Sequence, residues 1–171
     1  MAESQLGDVA ETKLPRVTVP AVISVTGPSY TGHHVLTELP DIKHYFDVYG
    51  NVKIIGPILV EVFGPVTTTQ ANVVVCAFYP DKYSDHPTTA SQVSRLEGRV
   101  HSQQSLAFGS QSAAPAFPRE TTTILKPATL VDHPPVFAYH LDAPGATASS
   151  VSTITLHITL EVSGACHKKT W

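Results

Sequence analysis

The sequence predicts an all-β chain folded as a two-sheet sandwich, and three observations carry that reading. Apolar and polar residues alternate at both ends of the chain. Val17, Val19, Ala21, Ile23 and Val25 share one parity near the start, and Ile154, Leu156, Ile158, Leu160 and Val162 share one near the end. Successive side chains of a strand point to opposite faces, so each run buries one face. The 14 prolines and 10 glycines are spread between short patterned runs, the punctuation of a sheet protein. One run, NVVVCAFYP, is apolar on both parities, as in a strand covered on both sides by the core and by another layer or subunit. Eight runs at this spacing point to an eight-stranded jelly-roll sandwich with one or two short helices in the connections.

The elements follow in order. Residues 1–15 are polar and unpatterned and read as a flexible N-terminal arm; 16–164 form the sandwich, and 165–171 are a short C-terminal tail. RVTVPAVISVTG is the first strand, and Pro20 in its middle lacks a ladder donor, which places it at a sheet edge. Tyr30–Glu38 is the second, closed by Pro40. Ile42, Tyr45, Phe46 and Tyr49 then recur at helical spacing, with Pro40 and Asp41 as start signals. NVKII and ILVEVFG are strand segments separated by Gly56-Pro57, a bulge or a fresh start. NVVVCAFYP follows the turn GPVTTTQ. In TTASQVSRLEG, Thr89 stands three residues ahead of Gln92, the spacing of a capping box, and Gly98 supplies a stop. RVHSQQSLAFG is strand, GSQSAAPAFPRE loop, TTTILK strand, PVFAYHLDAP strand, GATASS loop, and VSTITLHITLEVSG the last strand. In jelly-roll order the first strand lies at an edge beside the last, and the last is interior.

Composition narrows the function. Apolar residues make up 42% of the chain, normal for a globular fold, but charged residues only 15%, well under the usual ~25%. A surface so poor in charge points to burial against partners, or to the Thr- and Ser-rich exterior of a secreted β-protein. The formal charge is −3, and the longest basic run is Lys168-Lys169. A protein holding nucleic acid by permanent charge would show a basic arm or stripe. The N-terminus lacks the apolar core of a secretory signal and no apolar stretch reaches ~20 residues, so the reading is a soluble protein with no membrane partner. Cys76 and Cys166 are far apart and make no disulfide framework; Cys76 reads as a buried thiol.

The chain reads as no enzyme. Nine histidines invite a metal reading, yet there is no HExxH, no paired Cys-His spacing and no GxSxG elbow. His33 and His34 are adjacent, so on a strand they point to opposite faces and cannot hold one ion together. Asp85-His86 and Asp132-His133 each precede proline and read as turns. No glycine-rich phosphate loop is present, and no metal or cofactor is called for.

From residue 57 to about 164 the chain resembles the coat proteins of tymoviruses, small icosahedral positive-strand RNA viruses. ILVEVFGP leads through a Thr-rich turn into NVVVCAFYP, which is similar to the family's apolar strand ending in Trp-Val-Pro. HPTTASQVSRLEG is similar to a Thr-Pro-x-Gln-Ile segment ending in Tyr-Gly-Gly. VDHPPVFAYHLDAP resembles an Asp-x-Pro-x-Leu-Leu-Ala-Tyr strand, followed by a small-residue loop and a last strand ending in Ser-Gly. The chain departs from the pattern in Phe78-Tyr79 for Trp-Val, in Glu97-Gly98 for the double glycine, in a longer strand-to-helix connector and in a shorter arm.

The resemblance implies a coat protein that is made in the host cytoplasm and self-assembles into a shell, the virion, around genomic RNA. It also implies polyamines or divalent cations as RNA counter-ions, and loops GPVTTTQ, GSQSAAPAFPRE and DAPGATASS gathered at one end, around fivefold and quasi-sixfold axes. Val74, Cys76, Phe78, Val93, Leu96, Thr155 and Thr159 are the candidate subunit-interface residues. Lys13, Arg16, His33, His34, His157, His167, Lys168 and Lys169 are the candidate RNA-facing set, because they lie in the terminal segments and the strands adjoining them. Protonation of all nine histidines would turn the formal charge of −3 into +6, and an unperturbed histidine titrates near ~6.5, so mild acid could make a repelling wall attractive. The competing reading is a non-viral β-sandwich binding module for a carbohydrate or protein ligand. The only tryptophan, Trp171, leaves such a module few aromatic platforms.

Overall fold

The alternation at the two chain ends is resolved by pairing them. In the computed structural model, which describes residues 13–65, 70–81, 85–105, 109–110, 112–113 and 133–165, β1 (Arg16–Thr26) runs antiparallel to β9 (Val151–Ala165), with Val19 opposite Ile158, Ala21 opposite Leu156 and Ile23 opposite Ile154. The apolar parities of both strands fall on the same side. Ile154, Leu156, Ile158 and Leu160 are fully buried, each contributing roughly 1.5–3 kcal/mol of apolar burial.

Between them come β2 (Ser29–Val35), a 3-10 turn at Leu36–Glu38, α1 (Pro40–Val48), β3 (Tyr49–Phe63), β4 (Val73–Pro80), α2 (Ala90–Ser94), β5 (Val100–Ser105), β6 (Gly109–Ser110), β7 (Ser112–Ala113) and β8 (Pro135–Asp142). They form a four-stranded sheet of order β1-β9-β3-β7 and a five-stranded sheet of order β2-β8-β4-β5-β6, with antiparallel pairings throughout. The first strand is an edge beside an interior last strand, as the jelly-roll order requires. The inward faces of both sheets meet in one core, where Phe78, Phe137 and Tyr139 of the second sheet pack against Ile58, Ile154 and Leu156 of the first.

The β1 edge is covered. Pro20 withholds one donor, and the backbone N–H of Val22 donates to Asp41 Oδ2 of α1 at 3.3 Å. Helix α1 starts with Pro40 in its first turn and buries Ile42 and Phe46. The capping box of α2 is formed: Thr89 Oγ1 accepts from the Gln92 N–H at 3.3 Å and Gln92 Oε1 accepts from the Thr89 N–H at 3.2 Å. Gly98 has φ +69°, a left-handed conformation that only glycine adopts freely.

Two expectations change, and the alternative left open at Gly56-Pro57 is decided. The second strand stops at Val35, because Leu36 and Thr37 are both buried and consecutive strand residues cannot both point inward; the chain curls into the 3-10 turn. β3 is continuous through Gly56-Pro57, whose peptide bond is cis. Its register against β9 shifts between Ile55 and Leu59, so the bulge absorbs the pair without ending the strand. Short strands β6 and β7 occur where a loop was expected, since a two-residue ladder needs backbone groups and no side-chain pattern. Residues 1–12 of the expected arm, the expected strand TTTILK and tail residues 166–171 lie outside the described residues.

Of the two covers that the double-sided apolarity of β4 allowed, another layer or a subunit, the chain supplies a layer of its own. Val74, Cys76 and Phe78 point into the core. On the reverse face Tyr79 joins Val136 and Ala138 in a second cluster packed against Val35 and Leu96, and α2 lies against β4 and β8. Val93 is fully buried as well. These four residues are therefore internal to one chain, and Leu96 is half-covered by it; Thr155 and Thr159 alone of the candidate interface set stand on an open sheet face.

Candidate assembly and nucleic-acid surfaces

Register decides which residues share a surface. On the side of the four-stranded sheet turned away from the core, β1, β9 and β3 set side chains in rows. Arg16, Glu161 and Lys53 form one, then Thr18, Thr159 and Ile55; Pro20, His157 and Leu59; Val22, Thr155 and Glu61; and Ser24, Thr153 and Phe63. The charges pair off. Arg16 Nε donates to Glu161 Oε2 at 3.1 Å, and His157 Nε2 lies 2.9 Å from Glu61 Oε2. Thr18 and Thr159 hydroxyls meet at 3.2 Å. With His157 neutral, Arg16 and Lys53 balance Glu61 and Glu161, so the face carries no net charge.

It is also apolar in places where a solvated sheet would not be. Val22 (52%), Leu59 (43%), Phe63 (59%) and Val151 (56%) are four of the seven large apolar side chains that stand exposed among the described residues. Hydroxyls, one imidazole, one phenyl ring and compensated charge thus share this face. Among the described residues no group of three His, Cys, Asp or Glu could hold a metal ion, and no helix is long and apolar enough to cross a membrane.

The outer face of the five-stranded sheet is a separate surface. His33 of β2 lies there, its ring stacked on that of His86 with centroids 3.9 Å apart and planes 16° from parallel. The Tyr79 hydroxyl is 2.6 Å from His86 Nδ1, and Thr31 Oγ1 is 2.7 Å from His140 Nδ1. His34 turns the other way, its ring parallel to that of buried Tyr139. Burial and the neighbouring His86 hold His33 below the usual histidine range, against the pull of Asp81; burial, then His33, does the same for His34. Burial, reinforced by Asp81, pushes the Tyr79 phenol up to about 12.

The candidate RNA-facing residues are thus divided. Arg16 and His157 share the four-stranded face, and Lys13 precedes β1 at its rim, where Pro15 accepts a hydrogen bond from the Val162 N–H at 3.0 Å. His33 and His34 belong to the other sheet and do not join them. His167, Lys168 and Lys169 lie outside the described residues. Sequence reasoning passed over Lys53, Glu61, Leu59 and Phe63, although each has the parity opposite to the buried Val52, Val60 and Val62. It also passed over His86, read as a turn residue.

At the opposite end from the helices, polar groups tie the sheets together. Gln104 Oε1 accepts from Asn72 Nδ2 at 2.7 Å and from the Gly64 N–H at 2.9 Å, and the Gln104 N–H donates to the Asn72 carbonyl at 2.8 Å. Ser102 Oγ donates to the Val60 carbonyl at 2.7 Å. A Cβ on Gly64 would collide with Ser152 Oγ. The loops that follow β3 and β8 meet here with the β1–β2 turn, where the Gly27 N–H donates to the Ser150 carbonyl at 2.9 Å.

This two-sheet arrangement recurs in solved virus structures. Chains of the Desmodium yellow mottle tymovirus structure superpose with a TM-score of 0.62 at 14% identity, over 99% of this chain and 99% of that one. Turnip yellow mosaic virus gives a TM-score of 0.63 at 17% identity, over 92% and 99%. Tobacco necrosis virus gives 0.62 at 10% identity, over 91% and 98%. The shared property is the fold: a viral jelly roll. No family model matches the sequence, and a search of curated proteins finds no match. The likeness covers more than nine-tenths of this chain and of each of those chains.

Proposed function

We propose that this chain is a tymovirus-like coat protein that self-assembles into an icosahedral shell around viral RNA. The observation that carries the reading is the jelly roll shared over nearly the full length of both chains with the tymovirus structures. The low charge content supports it, as does a sheet face where exposed apolar groups sit among compensated charges. Among the described residues no group of three His, Cys, Asp or Glu is placed to hold a metal ion. Its place is then the virion, with synthesis in the host cytoplasm and copies of itself and genomic RNA as partners.

The outer face of the four-stranded sheet is the wall we assign to RNA. Arg16 is already paired with Glu161, and Lys53 stands against Glu161 in register while Glu61 is held by His157, so permanent charge there is balanced. Protonation of His157 adds the one conditional cation. Polyamines or divalent cations then supply the remaining neutralisation. Size-exclusion chromatography and negative-stain microscopy of the purified chain test the assembly reading: shells of megadalton size are expected, and a chain that stays monomeric in every condition favouring association overturns it. RNA retention in those shells from roughly pH 5 to 8, compared between wild type and His157→Ala, tests the wall; an unchanged pH profile rejects it.

A further inference from the structure

The stacked imidazoles on the second sheet lie away from the proposed RNA wall, and their placement has its own logic. After β4 the chain passes back over the outer face of the sheet. It sets His86 upon His33 of the edge strand β2, with ring centroids 3.9 Å apart, before Thr89 opens α2. The Tyr79 hydroxyl, which keeps its proton throughout the physiological range, lies in hydrogen-bond contact with His86 Nδ1 at 2.6 Å. Beyond this point α2 lays Val93 on the sheet, and Leu96 packs beside Tyr79, Val136 and Ala138. A cleft of about 310 Å³, walled by Tyr79, His86, Pro87 and Leu96, separates the ring pair from the helix.

We propose that the His33–His86 stack is an acid-released latch that fastens the connection of residues 85–99, and with it α2, to the outer face of the five-stranded sheet. Two neutral imidazoles stack favourably; two cationic ones at this separation repel. In a protonated His86 both ring nitrogens carry hydrogen, so its contact with Tyr79 is then restricted to Nδ1–H donating to the phenol oxygen. The groups around the pair were weighed from each element. On β2 His34 adds a like charge when protonated. After β4 Asp81 favours a charged His33, and its carbonyl lies 3.2 Å from His133 Nδ1. Asp85 and Arg95 flank His86 across the cleft, Glu38 lies along the groove beside His33, and His140 on β8 is engaged by Thr31. Burial and His86 outweigh Asp81, so the closed form binds protons less readily than the open form at His33. Closure is therefore favoured above the ordinary histidine range and weakens as pH falls through it.

Hydrogen exchange on the full-length protein, followed by mass spectrometry at about pH 7.5 and about pH 5.5 and corrected for intrinsic rates, reads the latch directly. Peptides spanning residues 85–96 are expected to lose protection by roughly threefold or more in acid, while peptides of β3 and β9 hold theirs. In His33→Phe the ring stack is kept, and a protonated His86 over the phenyl face is attractive, so the acid response of that segment should disappear. Full retention of the response in His33→Phe, no acid response in the wild type, or an equal loss of protection in β3 and β9 would each overturn the proposal.

Discussion

Replacing Gln104 with leucine tests the idea that the loop end of the sandwich is held by a few buried polar groups. Gln104 is 4% exposed and Asn72 fully buried. The substitution keeps the apolar volume but removes an oxygen that accepts from both Asn72 Nδ2 and the Gly64 N–H. Each donor left buried without a partner costs about 1–3 kcal/mol. The buried Asn72 donor carries that cost in full and the part-buried Gly64 N–H carries less, so the loss is about 1–4 kcal/mol against a whole-domain stability of about 5–15 kcal/mol. The backbone bond from Gln104 to the Asn72 carbonyl survives, so the loss falls on the side-chain contacts alone. In urea unfolding followed by circular dichroism, the midpoint should fall by about 0.5–2 M with an unchanged slope, taking m near ~2 kcal/mol/M. A midpoint within about 0.3 M of wild type would mean that these donors find other partners and that the tie is ornamental. Gln104→Glu, which retains an acceptor oxygen, should be stabler than Gln104→Leu at neutral pH if accepting those two bonds is what matters.

Other outcomes follow from single residues. Thr89→Ala removes the oxygen that accepts the Gln92 N–H and should cost about 0.5–2 kcal/mol, seen as faster exchange in α2 before any change in the sheets. Val93→Asp puts a carboxylate at a fully buried site, so soluble particle yield should collapse; normal yield would show that α2 does not cover the second sheet as described. Cys76 is buried and its thiol is pushed up to about 12, so the native protein should resist a thiol reagent at pH 8 at this position and react once unfolded; peptide mapping distinguishes it from Cys166.

How much of this could be read beforehand follows from how local each cause is. The capping box at Thr89 and Gln92, the edge position of the Pro20 strand and the buried parity of β9 depend on neighbours within a few residues, and each appears in the structure where the pattern placed it. The covering of β4 could not be read that way. A strand apolar on both sides shows that something lies over it, and whether that is α2 or a second subunit depends on contacts between residues far apart in sequence. The division of the histidines has the same origin. His33 and His157 both sit on strands near the chain ends, but β2 and β9 enter different sheets, and only the topology separates them. The face shared by Arg16, His157 and Glu61 became visible once the pairing register was known, although the parity of β3 already marked Glu61 as outward.

The covered margin of β1 bears on how this chain can meet others. An uncapped strand along one border of a sheet invites further chains to add on through their backbones and set into fibrils. A ring nitrogen without hydrogen at Pro20 and a carboxylate from α1 over the Val22 amide close that route. Along that border another chain can engage only side chains, contacts that saturate where a backbone ladder would propagate.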